Sequence, residues 1–308
     1  MKTKIALVLT LCMMLALVAA CAAAPAANTT TAAAGVTAAG TTAAAGTTAA
    51  DTTAAAAPQN RLDKILAAGK ITMGTSPDFA PMEFIDFNKT GQEQYVGADV
   101  ALGYYIAEYL GVELEVKAMD FTTLLAAIST GSIDMAFSGF AYTEERAESV
   151  GLTDFYDFES DDTGHGVIMA IADAQAITSP EQMSGKLLAV QANSLQYNLA
   201  TAQLPEDVEY QRISNLADAI MMLKTKKVDG VVSAGGTGDL LIKGMEDQFA
   251  FAGFRFEYES EGNVGAVNKD EPELLAAINE ALAQAKADNV LPAMYIEAKT
   301  LADSLGIE

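Results

Sequence analysis

The 308-residue chain has no tryptophan, one histidine and two cysteines, and its 18 basic residues are outnumbered by 41 acidic ones, for a formal charge of −23. Each shortage removes a class of function. A lone histidine, His165, rules out histidine-pair metal sites and His-Glu-x-x-His hydrolysis. The cysteines are Cys12 and Cys21, so no disulfide or thiolate metal site can form beyond residue 21. A surface this acidic repels phosphate backbones, which argues against nucleic acid as a partner, and no basic face suits anionic lipid. Neither a Gly-x-Ser-x-Gly nor a phosphate-loop pattern is present. No metal and no cofactor are expected.

The beginning of the chain carries its own signals. Residues 1–20 read as an export signal, with Lys2 and Lys4 ahead of an apolar run at 5–18 and small residues before Cys21. That run is shorter than the ~20 residues a spanning helix needs. Val18-Ala19-Ala20-Cys21 resembles the bacterial lipobox, whose cysteine becomes the lipidated, palmitate-bearing first residue of the mature protein. Residues 21–58 are almost wholly Ala, Thr and Gly, with no apolar periodicity and no large side chains to build a core. They are expected to form a disordered tether, on the order of 30–35 Å root-mean-square if fully flexible.

From Arg61 onward strand and helix patterns alternate. Apolar runs at 71–74, 112–116 and 133–137 read as strands. Between them, Leu102, Ile106, Tyr109 and Leu110 mark one helix ending at Gly111, and Leu124, Leu125 and Ile128 mark another. A second series has strands at 167–171, 186–190, 208–213 and 228–232. Its helices open at Ser179-Pro180 and Ser194 or end at Lys224, and a long helix over 272–288 follows. Such alternation predicts α/β sheets with crossover helices, and two of them leave a crevice at the strands' carboxyl ends.

The most informative stretch is Phe137-Ser138-Gly139-Phe140-Ala141-Tyr142-Thr143-Glu144-Glu145-Arg146. A short strand runs through a small-residue turn to Thr143, a natural N-cap with two glutamates behind it. Such a corner offers backbone N–H groups to an anion, and Arg146 adds a planar fork suited to a carboxylate.

The order of these motifs is similar to that of the extracellular solute-binding proteins of ABC importers, polar amino-acid-binding family. The matching pieces are Gly74-Thr75-Ser76-Pro77-Asp78-Phe79-Ala80-Pro81-Met82-Glu83-Phe84, Tyr95-Val96-Gly97-Ala98-Asp99-Val100, Met119-Asp120-Phe121 and Gly131-Ser132-Ile133-Asp134. They continue with the 138–146 corner, Leu152-Thr153-Asp154-Phe155-Tyr156, Gln191-Ala192-Asn193-Ser194-Leu195-Gln196 and Val228-Asp229-Gly230-Val231-Val232. The resemblance covers roughly residues 60–308. It implies the two-lobed type II periplasmic-binding-protein fold, α/β throughout, with lobe 1 from 59–160 plus 262–308 and lobe 2 from 161–261. It further implies a monomeric lipoprotein on the outer face of a bacterial cell membrane, held there through its lipid alone. By lobe closure it would capture an amino acid or related small polar carboxylate and deliver it to permease subunits, without catalysis. An enzyme on the same fold, dehydratase-like or transglycosylase-like, and a ligand-sensing module are the alternatives. Glu83 is the one candidate for an acid of raised pKa that such an enzyme would need.

The resemblance carries roles residue by residue. Phe79 and Phe121 would sandwich the ligand side chain, against the plainer alternative of two core phenylalanines. Arg146 would clamp the ligand carboxylate, assisted by Ser138, Gly139 and Ala141, against a surface arginine paired with Glu144, Glu145 or Glu148. In lobe 2, Ser194 and Gln196 would complete the site, Ser194 as helix cap with its N–H toward the carboxylate and Asn193 in a left-handed conformation. Two departures stand out. Ala141 replaces a usual Ser or Thr, and Ala234 stands where the family places the acid that accepts the ligand ammonium. Asp239, beyond the glycine-rich 235–238, is a candidate substitute. His165, between Gly164 and Gly166, is expected to be structural or solvent-facing.

Overall fold

The computed structural model describes residues 60–158, 164–259 and 261–307. The signal, Cys21 and the tether expected over 1–58 lie outside the described residues. Two five-stranded sheets form the framework, in the orders β4-β1-β5-β12-β6 and β11-β7-β10-β8-β9. The first holds β1 (Lys70–Thr75), β4 (Glu113–Ala118), β5 (Met135–Ala136), β6 (Gly151–Leu152) and β12 (Ala266–Val267). The second holds β7 (His165–Ala170), β8 (Leu187–Gln191), β9 (Glu209–Ile213), β10 (Gly230–Ala234) and β11 (Phe249–Phe251). A hairpin of β2 (Phe84–Ile85) and β3 (Tyr95–Val96) stands beside the first sheet order. Each sheet joins parallel strands, β1 with β4 and β5 or β8 with β9 and β10, to antiparallel ones at its other side. The chain leaves the first sheet after β6 and returns to it at β12, so two connections link the halves.

Helices flank both sheets. In the first half they are α1 (Arg61–Ala68), α2 (Ala98–Leu110), α3 (Phe121–Ser129) and α4 (Glu144–Ser149). The second half has α5 (Ile171–Ala176), α6 (Leu195–Gln203), α7 (Leu216–Lys224) and α8 (Gly235–Leu241), and α9 (Pro272–Ala287) and α10 (Leu291–Leu305) follow. The last two share one core with α2 and β1: Leu274, Ile278 and Leu282 lie in the same buried cluster as Leu102, Ile106 and Met73. Burying that apolar area, at about 25 cal/mol per Å², fastens the C-terminal helices to the first half.

Several expectations are refined here. The strand over 133–137 shortens to β5 because the Asp134 side chain takes over ladder positions, accepting from the Thr72 N–H and hydroxyl, both at 2.7 Å. Tyr109 is on the outer face of α2, 46 % exposed, while Leu102 and Ile106 are fully buried. The 235–238 segment is a helix rather than a glycine-rich loop. A Cβ at position 238 would run into the Phe251 ring and Ile168, so glycine there allows α8 to lie tight on β7 and β11.

Candidate functional site

A cavity of about 230 Å³ lies between the two sheets, at the carboxyl ends of β1, β5, β8 and β10, where open α/β sheets bind ligands. Phe79, Phe121, Ser138, Gly139, Ala141 and Arg146 line it from the first half, and Gln196 from the second. Ser194 does not line it. Its hydroxyl donates to the Gln191 carbonyl at 2.7 Å and accepts from the Tyr197 N–H at 3.1 Å, while its own N–H turns back to Gln191 at 3.4 Å. The cap and the left-handed Asn193, at φ 60°, are as expected, but a turn this tight leaves the Ser194 N–H committed.

Arg146 is 4 % exposed, held one turn into α4, whose N-terminus is capped by Thr143 Oγ1 accepting from the Arg146 N–H at 3.1 Å. Its guanidinium donates to the Ala141 carbonyl at 2.6 Å and, across the cleft, to the Asn193 carbonyl at 2.9 Å. The Phe140 and Phe121 rings lie 5.2 and 5.6 Å from it, close enough for weak cation–π attraction. No ion pair among the described residues involves it. Burial pushes its pKa down to about 10, which still leaves it charged at neutral pH. Among the described residues the site therefore holds a buried cation without an ion-paired acid, an expensive state that a ligand anion would relieve.

The Ser138–Gly139 turn is less open than a free pair of N–H donors. The Gly139 N–H donates to Asp99 Oδ2 at 2.6 Å, and the Ser138 hydroxyl donates to Glu83 Oε1 at 2.9 Å. Asp99 Oδ1 accepts from the Tyr156 hydroxyl at 2.7 Å. Glu83 and Asp99 are both fully buried and form a floor beneath the turn, outside the cavity lining. Burial, then the neighbouring Asp99 charge, pushes Glu83 well above the ordinary carboxylate range, and burial lifts Asp99 to about 6. Glu83, the acid an enzyme reading would need, is thus sealed from the cavity.

Both folded pKa values exceed their unfolded ones, which fixes the sign of a pH dependence. This cost of the pair is absent below about pH 4, where both carboxyls are protonated folded or unfolded. Stability then falls as pH rises toward the folded values, by up to about 1.4 kcal/mol per pH unit for each proton involved. Glu83→Gln, which mimics the protonated acid, is expected to flatten this decline in thermal melts taken between pH 5 and 8. Unchanged slopes would refute the protonated state of Glu83.

Sequence reading missed much of the lining on both walls. Asp78, Gln191, Asn263, His165, Tyr258 and Tyr295 all line the cavity. His165 is half-buried in the cavity lining, its ring 5.3 Å from that of Tyr258 and its Nδ1 3.4 Å from Gln196 Nε2. Asp239 is exposed and does not line the cavity, so it does not stand in for the acid missing at Ala234. Asp78 and Gln191 sit inside motifs visible in the sequence, but nothing local marks Tyr258 or Tyr295. Three further bonds cross the cleft: Asp78 Oδ2 accepts from Gln191 Nε2 at 3.3 Å and the Leu216 N–H at 3.0 Å, and the Thr237 hydroxyl donates to the Ala80 carbonyl at 3.2 Å. The halves are closed on each other around the cavity.

A family model described as bacterial extracellular solute-binding proteins, family 3, matches residues 71–297. The arginine-binding extracellular protein ArtP of Bacillus subtilis is 29 % identical over 214 residues, covering 69 % of this chain and 79 % of the relative. Among solved structures, the amino acid ABC transporter substrate-binding protein AbpA of Streptococcus pneumoniae, bound to L-arginine, superposes with a TM-score of 0.70. It is 27 % identical, covering 80 % of this chain and 99 % of that one. A truncated arginine-bound ArgBP from T. maritima gives a TM-score of 0.63 at 30 % identity, covering 72 % and 99 %.

Proposed function

We propose a ligand and a mode of action from one premise: the chain belongs to the bacterial extracellular solute-binding proteins, family 3. It captures an amino acid or related small polar carboxylate between its two lobes, closes on it, and delivers it to the permease of an ABC transporter. The observation that carries this reading is Arg146, a buried guanidinium aimed into a closable cleft and in no ion pair among the described residues. A ligand carboxylate there replaces lost hydration with charge-assisted bonds. Phe79 and Phe121, both lining the cavity, supply the apolar contact for the rest of the ligand. Ser138, Gly139 and Ala141 shape the turn around the carboxylate, and Gln196 contributes from the other wall.

The lobes run over 59–160 plus 262–308 and over 161–261, hinged at the two connections between the sheets. Lipidation at Cys21, after loss of residues 1–20, tethers the domain to the outer face of the membrane. None of the helices among the described residues is long and apolar enough to cross a membrane.

A thermal-shift screen of amino acids and small carboxylates is the test. Melting points that climb with ligand concentration are expected for at least one carboxylate, since binding to the folded state alone stabilises by RT ln(1 + [L]/Kd). No response to any carboxylate, together with turnover of a cyclic dicarboxylate such as prephenate, would sink the reading.

A further inference from the structure

Glu83 and Asp99, sealed beneath the cleft, are two buried acids that carboxylate capture does not itself use. The backbone brings them together, the Ala98 and Asp99 N–H groups donating to the Pro81 and Met82 carbonyls at 3.0 and 2.9 Å. Gly97, at φ +132°, permits this approach, because a Cβ there would lie 2.2 Å from the Met82 carbonyl oxygen. Between them the two acids hold three residues that line the cavity. Glu83 exchanges main-chain hydrogen bonds with Phe79 at 3.0 and 3.2 Å and holds the Ser138 hydroxyl, while Asp99 holds the Gly139 N–H. We propose that Asp99 is the positioning residue of the Ser138–Gly139 turn, its charge preserved by a proton on Glu83, so that ligand capture weakens when Asp99 itself takes up a proton.

This control rests on the carboxylate-binding role proposed above. The donors each acid receives decide where the proton sits. Asp99 receives two, the Gly139 N–H on Oδ2 and the Tyr156 hydroxyl on Oδ1. It also lies in the first turn of α2, where the helix dipole favours a negative charge. Glu83 receives one, on Oε1, and no protein donor among the described residues reaches its buried Oε2. A proton on Glu83 relieves that unpaired oxygen and can be shared with Asp99, which lies within hydrogen-bond reach. Two adjacent buried carboxylates would otherwise repel each other. The remaining charge acting on the pair is that of Asp78, on the loop after β1, and no ion pair among the described residues includes either acid. Protonation of Asp99 replaces an ionic acceptor by a neutral one and loosens its grip on Gly139. Burial lifts the Asp99 pKa to about 6, which brings that event close to neutrality.

The test is calorimetry on the purified full chain between about pH 5 and 8, with the common L-amino acids apart from histidine, whose ring titrates in that range. Wild-type affinity is expected to fall at least about 5-fold from the upper to the lower pH, the difference between a charged and a neutral acceptor. Melts of the unliganded protein separate this from loss of fold. The buried pair costs less as pH falls, so stability and affinity should move in opposite directions. Asp99→Asn, a neutral acceptor at every pH, should bind at least about 5-fold more weakly than wild type at the upper pH and show no further acid weakening. Tyr156→Phe removes one donor from the charged form and should move the midpoint upward by about one pH unit, which keeps the test open if the amide variant does not fold. The profile should persist in His165→Gln, which removes the only histidine. A flat wild-type profile, a midpoint unmoved by Tyr156→Phe, or a profile that disappears with His165 overturns the proposal while leaving ligand capture intact. Absence of binding by every amino acid overturns both.

Discussion

Replacing Arg146 with alanine is expected to weaken any carboxylate ligand by at least about 100-fold, because two charge-assisted hydrogen bonds are each worth about 1.5–3 kcal/mol. The loss has two parts. The ligand carboxylate would enter a pocket without its counter-charge, and the carbonyls of Ala141 and Asn193 would lose their shared donor. The second part also removes a bond across the cleft, so slower closure and faster release should accompany the weaker binding. Arg146→Lys retains a charge but not the planar fork, and is expected to recover only part of the affinity. Calorimetry on both variants checks this, and full affinity in the alanine variant would remove Arg146 from the site. The unliganded protein should remain folded, since burying that cation contributes little net stability until an anion joins it.

The second large effect is expected at Gly139. Its φ of +55° lies where side chains are strained, and a Cβ there would come within 2.8 Å of the Phe79 ring. Gly139→Ala must therefore displace Phe79, the aromatic that lines the cavity above the turn, or open the turn itself. A stability loss of about 1–2 kcal/mol follows from the backbone strain, with ligand binding reduced at least about 10-fold. The bond from the Gly139 N–H to Asp99 makes opening the turn costly, because it would leave a buried carboxylate short of a donor. A variant that melts and binds like wild type would show that the ring moves aside freely.

What was legible beforehand was mostly local. Gly111 and Gly131, with φ near +70°, end helical segments, Thr143 and Ser194 cap, and the alternation at 112–116 pairs β4 to β1. Each of these is set by residues within a few positions of one another, through capping, periodicity or turn conformation. The 235–238 segment differs for the same reason: clustered glycines mark a loop in isolation, whereas the close approach of Phe251 to Gly238 is a tertiary contact that only the folded helix reveals. Arg146 was found because the strand, turn and cap that aim it are contiguous.

By itself the sequence determined the α/β alternation in two series, the anion-facing corner at 138–146 and the absence of an acid at Ala234. Tertiary structure alone decided which groups share the cavity and which are left without counter-charge. Asp78 meets the Leu216 N–H 138 residues away, and Ser138 meets Glu83 55 residues away. Charge state follows from such meetings, because burial and neighbouring carboxylates set the protonation of Glu83 and Asp99. A short window of sequence carries neither the dielectric around a side chain nor the partner delivered by a distant strand. The fold supplies both.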